Sequence, residues 1–168
     1  ANHYRGLSFL YARLYDVSEA EIAARLSERS PDFSLLAPLL CDEFCLCVVL
    51  AFDELASTRA YAHDAVSYSA LGAAARLLLR RMARDELLHC HNTIDLLVRT
   101  QARRLPEAKA VIERVIAHDT SPQFSYRATF LLDQIIKPAI TAESTDSNPY
   151  NAVGLSVESL QDCGRRLI

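Results

Sequence analysis

Apolar residues along this chain return at intervals of three and four, the spacing that lays side chains along one side of an α-helix. Leu7, Leu10, Tyr11 and Leu14 set the pattern and predict a helix over residues 2–15. Ser18 with Glu21 three positions later has the form of a capping box and opens a short helix to about Glu28. Ser30-Pro31-Asp32 marks another start, with serine as cap and proline tolerated in the first turn. Pro38 is expected to separate a short helical turn from a long helix over roughly 39–65. A second long helix is predicted from about Ser69 to Arg104, and Leu105-Pro106-Glu107 closes it and opens a shorter one to about His118. Ser121-Pro122 begins a further helix that Pro138 should end or kink. Residues 143–151 (Glu-Ser-Thr-Asp-Ser-Asn-Pro-Tyr-Asn) have loop composition, and a last short helix is expected after Ser156. No internal repeat is visible.

The two long helices are joined by a short region around 64–69, so they should pack as antiparallel neighbours. Composition agrees with a helical reading. Of 168 residues 51% are apolar, which suffices for one domain with a sizeable core, and only 4 are glycine and 6 proline. The expected fold is all-α.

Charge excludes some partners. The net charge is −3 and the basic residues are interspersed with acidic ones, which argues against nucleic acid as a partner. The central apolar run from Leu46 to Phe52 is far shorter than the roughly 20 residues of a membrane span, so none is expected. The residues from Ala1 to Arg5 lack a secretory apolar segment. Five cysteines (41, 45, 47, 90 and 163) form no paired knuckles and suit a reducing, cytoplasmic setting. Cys41 and Cys45, one helical turn apart, read as small buried apolar residues.

Candidate chemistry lies on the long helices. Glu54 sits in the apolar run Val48 to Ser57, and 32 residues later comes Asp85-Glu86-Leu87-Leu88-His89. Glu86 and His89, at i and i+3, share a helix face about 60° apart and roughly 4.5 Å along the axis, so both reach one ion. A carboxylate on the apolar side of a helix calls for a cation or a proton. Four-helix di-iron proteins combine a lone glutamate on one helix with Glu-x-x-His on its neighbour. The pairing requires a turn centred near residue 70, which brings Glu54 and Glu86 level, and a first long helix that persists to the Tyr68 region. Glu54, Thr58, Tyr61 and Ala65 would then form one stripe, facing Glu86, His89, Thr93 and Leu97. Glu43, some 16 Å from Glu54 along the axis, reads as a helix-start charge. His63, His91 and His118 read as solvated or capping groups. Arg76, Arg80 and Arg84 recur every four residues opposite Glu86 and read as a solvated face.

With these residues assembled, the chain resembles the soluble acyl-carrier-protein desaturases, ferritin-like di-iron proteins of fatty acid biosynthesis. Phe52-Asp53-Glu54-Leu55-Ala56-Ser57 looks like the family's second motif, and Arg84-Asp85-Glu86-Leu87-Leu88-His89 like its third. Asn2-His3-Tyr4-Arg5-Gly6 looks like the end of its first, Glu-x-x-His-Gly-like segment. By that alignment the segment's glutamate would fall one residue before Ala1. The chain would then be a ferritin-like bundle that begins inside the site and lacks its N-terminal helix or helices. The resemblance covers most of residues 2–100 and is weak beyond about 105.

The resemblance implies Glu54 and His89 as terminal ligands of one iron, Glu86 as a bridge between two, and His3 as a ligand of the second. Asp85 would orient a ligand histidine, and Ser57 would hold the hydroxyl position beside the oxygen-binding side of the irons. Leu55 and Leu88 stand where the family has arginines. Two iron ions, an acyl carrier protein, a ferredoxin-type electron donor and a homodimer are implied, in the cytoplasm or, for a plant protein, the plastid stroma. The implied reaction is O₂-dependent dehydrogenation of a carrier-bound acyl chain. Phe44, Leu46, Val49, Ala70, Ala73 and Ala74 are candidates to line an acyl channel, although packing alone also explains them. Two alternatives remain: a di-iron hydroxylase or N-oxygenase on another substrate, and a non-catalytic metal-binding or interaction module.

Overall fold

The computed structural model describes residues 2–28, 34, 36–67 and 69–119. Every regular element among them is helical: α1 (Asn2–Tyr15), α2 (Glu19–Ser27), α3 (Ala37–Leu40), α4 (Glu43–Ser67), α5 (Ala73–Gln101) and α6 (Ala108–Asp119). Short 3₁₀ turns at Ser69–Leu71 and Ala102–Glu107 flank α5. The architecture is an all-α bundle. No helix among the described residues is long and apolar enough to cross a membrane. The starts expected at Ser30-Pro31-Asp32 and Ser121-Pro122, the break at Pro138, the loop at 143–151, the helix after Ser156 and Cys163 lie outside the described residues.

Local chemistry sets the boundaries. Asp16 takes a left-handed φ of 51° after α1, and the Val17 N–H reaches back to the Ala12 carbonyl at 3.2 Å, a Schellman closure. The Ser18 hydroxyl accepts from the Glu21 N–H at 3.1 Å and opens α2, as its capping box predicts. Pro38 does not divide two helices as expected. It lies in the first turn of α3, where proline is tolerated, and the division falls at Cys41 and Asp42. There the Asp42 carboxylate accepts from the Cys45 N–H at 2.8 Å and caps α4.

α4 and α5 form an antiparallel hairpin. Its turn runs through Ser69–Leu71 to Gly72, whose φ of +94° a side chain would strain even though the space around it is open. The core fills one half of the hairpin: Phe44, Val48, Phe52, Leu55 and Ala56 of α4 meet Cys90, Ile94 and Leu97 of α5. Val111, Ile112 and Val115 of α6 close it, with Leu36 and Leu39 beneath. Toward the turn the seam continues through Ala60, Ala65, Ala75, Leu79 and Met82, all buried. Arg104, from the 3₁₀ turn after α5, lies over the Phe44 ring at 4.5 Å and grips both oxygens of Asp42 at 3.0 Å.

Candidate metal centre

Position 70 falls in the hairpin turn, so Glu54 and Glu86, each 16 residues from it, come level. The packing around them fixes their height: Ala51, Phe52 and Leu55 beside Glu54, and Met82 and Cys90 beside Glu86, are all buried. His89 Nδ1 lies 2.9 Å from Glu86 Oε2 and 3.6 Å from Glu54 Oε2. The ligating atoms of Glu54, Glu86 and His89 all lie within 4.8 Å of one another.

The other oxygen of Glu86 faces α1. His3 Nδ1 lies 2.8 Å from Glu86 Oε1, and His3 Nε2 lies 3.1 Å from Asp85 Oδ2. Gly6, one turn along, lets the helices approach, since a Cβ there would stand 3.0 Å from both methyl groups of Leu78. The Tyr61 ring meets the His3 imidazole edge-on, with centroids 6.5 Å apart. Each oxygen of Glu86 thus faces the Nδ1 of a different histidine, one from α1 and one from α5.

Can these groups hold an ion? Two donors bound at right angles to a first-row divalent ion at about 2.1 Å lie about 3.0 Å apart, and tetrahedral donors about 3.4 Å. The separations of 2.8, 2.9 and 3.6 Å lie within about 0.2 Å of that range. The donor set, carboxylate with imidazole, suits iron, zinc or manganese. With His3 Nε2 committed to Asp85, the Nδ1 lone pair is the one open to an ion.

Electrostatics point the same way. Burial first, then the adjacent Glu86 carboxylate, pushes the Glu54 carboxyl up to about 7. Near neutral pH the Glu54 carboxyl therefore holds a proton about half the time, one that a cation would displace. Burial pulls the His89 imidazole down, but Glu86 and Glu54 outweigh it and raise it above its ordinary value. Tyr61, pushed up to about 12 by burial and then by Glu86 and its acidic neighbours, stays protonated at neutral pH.

Comparison with protein-family models, with curated proteins and with solved structures returns no match.

Of the expected site residues, the fold brings together His3, Glu54, Asp85, Glu86 and His89. Ser57 takes no part in this hydrogen-bonded cluster and is half-buried on α4. Leu55 is buried in the core and Leu88 is exposed. Arg76, Arg80 and Arg84 are exposed, and Glu43 begins α4 as a helix-start charge. Cys41 is exposed rather than buried, because it stands at the break between α3 and α4 and not inside one helix. Ala70, Ala73 and Ala74 are exposed too, since in this stretch it is Ala75 that turns into the packed seam. Tyr61 lies on the stripe expected for it, and its contact with His3 is an addition. The contribution missed is that of Gly6, which sets the distance between α1 and α5. Thr58 and Thr93 each donate to the carbonyl four residues back, those of Glu54 (2.8 Å) and His89 (2.9 Å).

Proposed function

We propose that His3, Glu54, Glu86 and His89 hold two metal ions with Glu86 as the shared carboxylate, and that the protein is an O₂-dependent di-iron oxidoreductase. The observation that carries this reading is the placement of Glu86, whose two oxygens face two histidine Nδ1 atoms from different helices. A carboxylate bridging two ions, each with its own imidazole, needs that arrangement. Glu54 adds a second carboxylate on the His89 side only. The raised Glu54 carboxyl supports the reading further, since an anionic pair of this kind is relieved by cations.

When bound, reduced iron would supply activation of O₂ for attack on unactivated C–H bonds. The substrate proposed is a carrier-bound acyl chain, on the strength of the resemblance in residues 2–100. In that reaction a –CH₂–CH₂– unit, O₂, two electrons and two protons become –CH=CH– and two waters, with a ferredoxin-type donor supplying the electrons. The chain's own residues would hold and orient: Asp85 fixes the His3 ring, and Tyr61 walls the α1 side of the site.

Iron analysis on purified protein tests the core of this reading. About two ions per chain are expected, and Glu86→Ala or His89→Ala should abolish binding with helical content largely intact. Full iron in both variants would overturn the ligand assignment. Incubation with an acyl carrier protein substrate, ferredoxin and O₂, read by product mass, separates loss of two hydrogens from gain of an oxygen atom, the mark of a hydroxylase.

A further inference from the structure

The two sides of Glu86 are built differently. Glu54, Glu86 and His89 belong to the α4–α5 hairpin, whose seam runs into the main core. One ion position is therefore complete on that hairpin alone. On the other side, Glu86 Oε1 meets His3, and His3 is carried by α1.

α1 is lightly held. It supplies none of the main core, and Ser8 is its one buried residue among those with described side chains. Leu7, Leu10 and Tyr11 are half-buried, while Tyr4 and Phe9 are exposed. An isolated helix of 14 residues is marginal in water, so its place depends on what it touches. On α5 it touches Leu78 through Gly6, and Asp85 and Glu86 through His3. The His3–Asp85 contact is a weak anchor by itself, because Asp85 is more than half exposed, which leaves the single contact with Glu86.

We propose that the two ion positions fill in order: the hairpin takes the first ion without α1, and the second, between Glu86 and His3, docks α1 onto α5. This rests on the di-metal reading above. Part of the free energy of binding the second ion goes into ordering α1, so its apparent affinity is lower than that of the first. Asp85 then acts as a positioning residue that presents the His3 ring. The docked state of α1 reports whether the second position is filled.

The test is amide hydrogen exchange on the full chain during titration with Co²⁺ in air-free buffer, with coordination followed by the Co²⁺ absorption. The first equivalent should change the absorption and leave exchange over residues 2–15 unaltered. The second should slow that exchange by about tenfold or more. His3→Ala and Gly6→Leu should both keep the first equivalent and lose the second along with the protection. Gly6→Leu touches no ligand and replaces glycine by a better helix former, so its effect reports docking rather than loss of the helix. Protection of α1 that is the same with and without Co²⁺, or that comes with the first equivalent, would overturn the order of filling and leave the metal reading standing. So would loss of both equivalents together in His3→Ala and Gly6→Leu. A wild-type chain that binds no Co²⁺ would overturn both.

Discussion

Glu54→Gln should make the metal-free protein more stable and the metal-bound state harder to reach, two effects of opposite sign from one substitution. In the folded chain the Glu54 carboxyl is pushed up from its ordinary 4.5 to about 7, by burial first and then by Glu86. An acid raised on folding leaves stability untouched below its unfolded value. It then weakens the fold progressively as pH climbs from about 4.5 to about 7, and the full penalty persists above that. The interval corresponds to about 3 kcal/mol. A quarter of the side chain is exposed, and solvent screening there reduces the expected gain from glutamine to about 1–2 kcal/mol. Urea unfolding in the presence of a chelator measures it, at pH 4, where the penalty has scarcely begun, and at pH 8, where it is complete. The variant should match wild type closely at pH 4 and exceed it at pH 8, with a melting temperature higher by about 2–8 °C. Added Fe²⁺ should stabilise wild type and leave the variant nearly unmoved. A variant no more stable than wild type at pH 8 in chelator would refute the strained pair of carboxylates on which the site rests.

Other outcomes follow from the same structure. Asp42 is held down near 2, by the Cys45 N–H first and then by Arg104, so its stabilisation is complete above its unfolded value near 3.8 and is lost as pH falls toward 2. Asp42→Asn should flatten the acid limb of a plot of urea midpoint against pH. Phe52, 1% exposed in the main core, should cost about 3–5 kcal/mol on replacement by alanine, read as a lower urea midpoint with an unchanged slope. Among the described thiols a disulfide reagent should label exposed Cys41 first and buried Cys90 only on unfolding. Cys45 and Cys47, raised by burial before any charge acts, should react slowly between them.

The helices were legible because their signals are local. The spacing of Leu7, Leu10, Tyr11 and Leu14, the Ser18–Glu21 cap and a turn near residue 70 each depend on a few adjacent residues, and each is found where expected. Proximity of Glu54, Glu86 and His89 was legible for the same reason, since helical periodicity and one turn position suffice to compute it. The break before α4 was misplaced because proline signals either a first turn or a stop. The decision here lay with Asp42, whose carboxylate caps the helix. The approach of α1 was not legible from pattern at all. It depends on a missing side chain at Gly6 meeting Leu78, a contact 72 positions apart in sequence. His3 was picked out by resemblance, and only the fold shows that its ring meets both Asp85 and Glu86.

The half of the hairpin that holds the core also governs the candidate centre. His89 is followed directly by Cys90, which is fully buried, and Glu54 is flanked by Phe52 and Leu55, which pack into the same cluster. The gap between the Glu54 oxygen and the His89 nitrogen is therefore set by how α4 and α5 mesh, not by the polar groups themselves. Closely packed interiors shift by fractions of an ångström when a methylene is added or removed, and ion coordination senses changes of that size. Packing at Cys90 and Phe52 should consequently tune affinity at the first ion position without touching a ligand. His3 answers to a different constraint, the Gly6–Leu78 contact, so the two sides of Glu86 are adjustable separately. On the proposed two-ion reading, a hairpin that fixes one histidine and a light helix that brings the other would hold the first ion firmly and leave the second responsive.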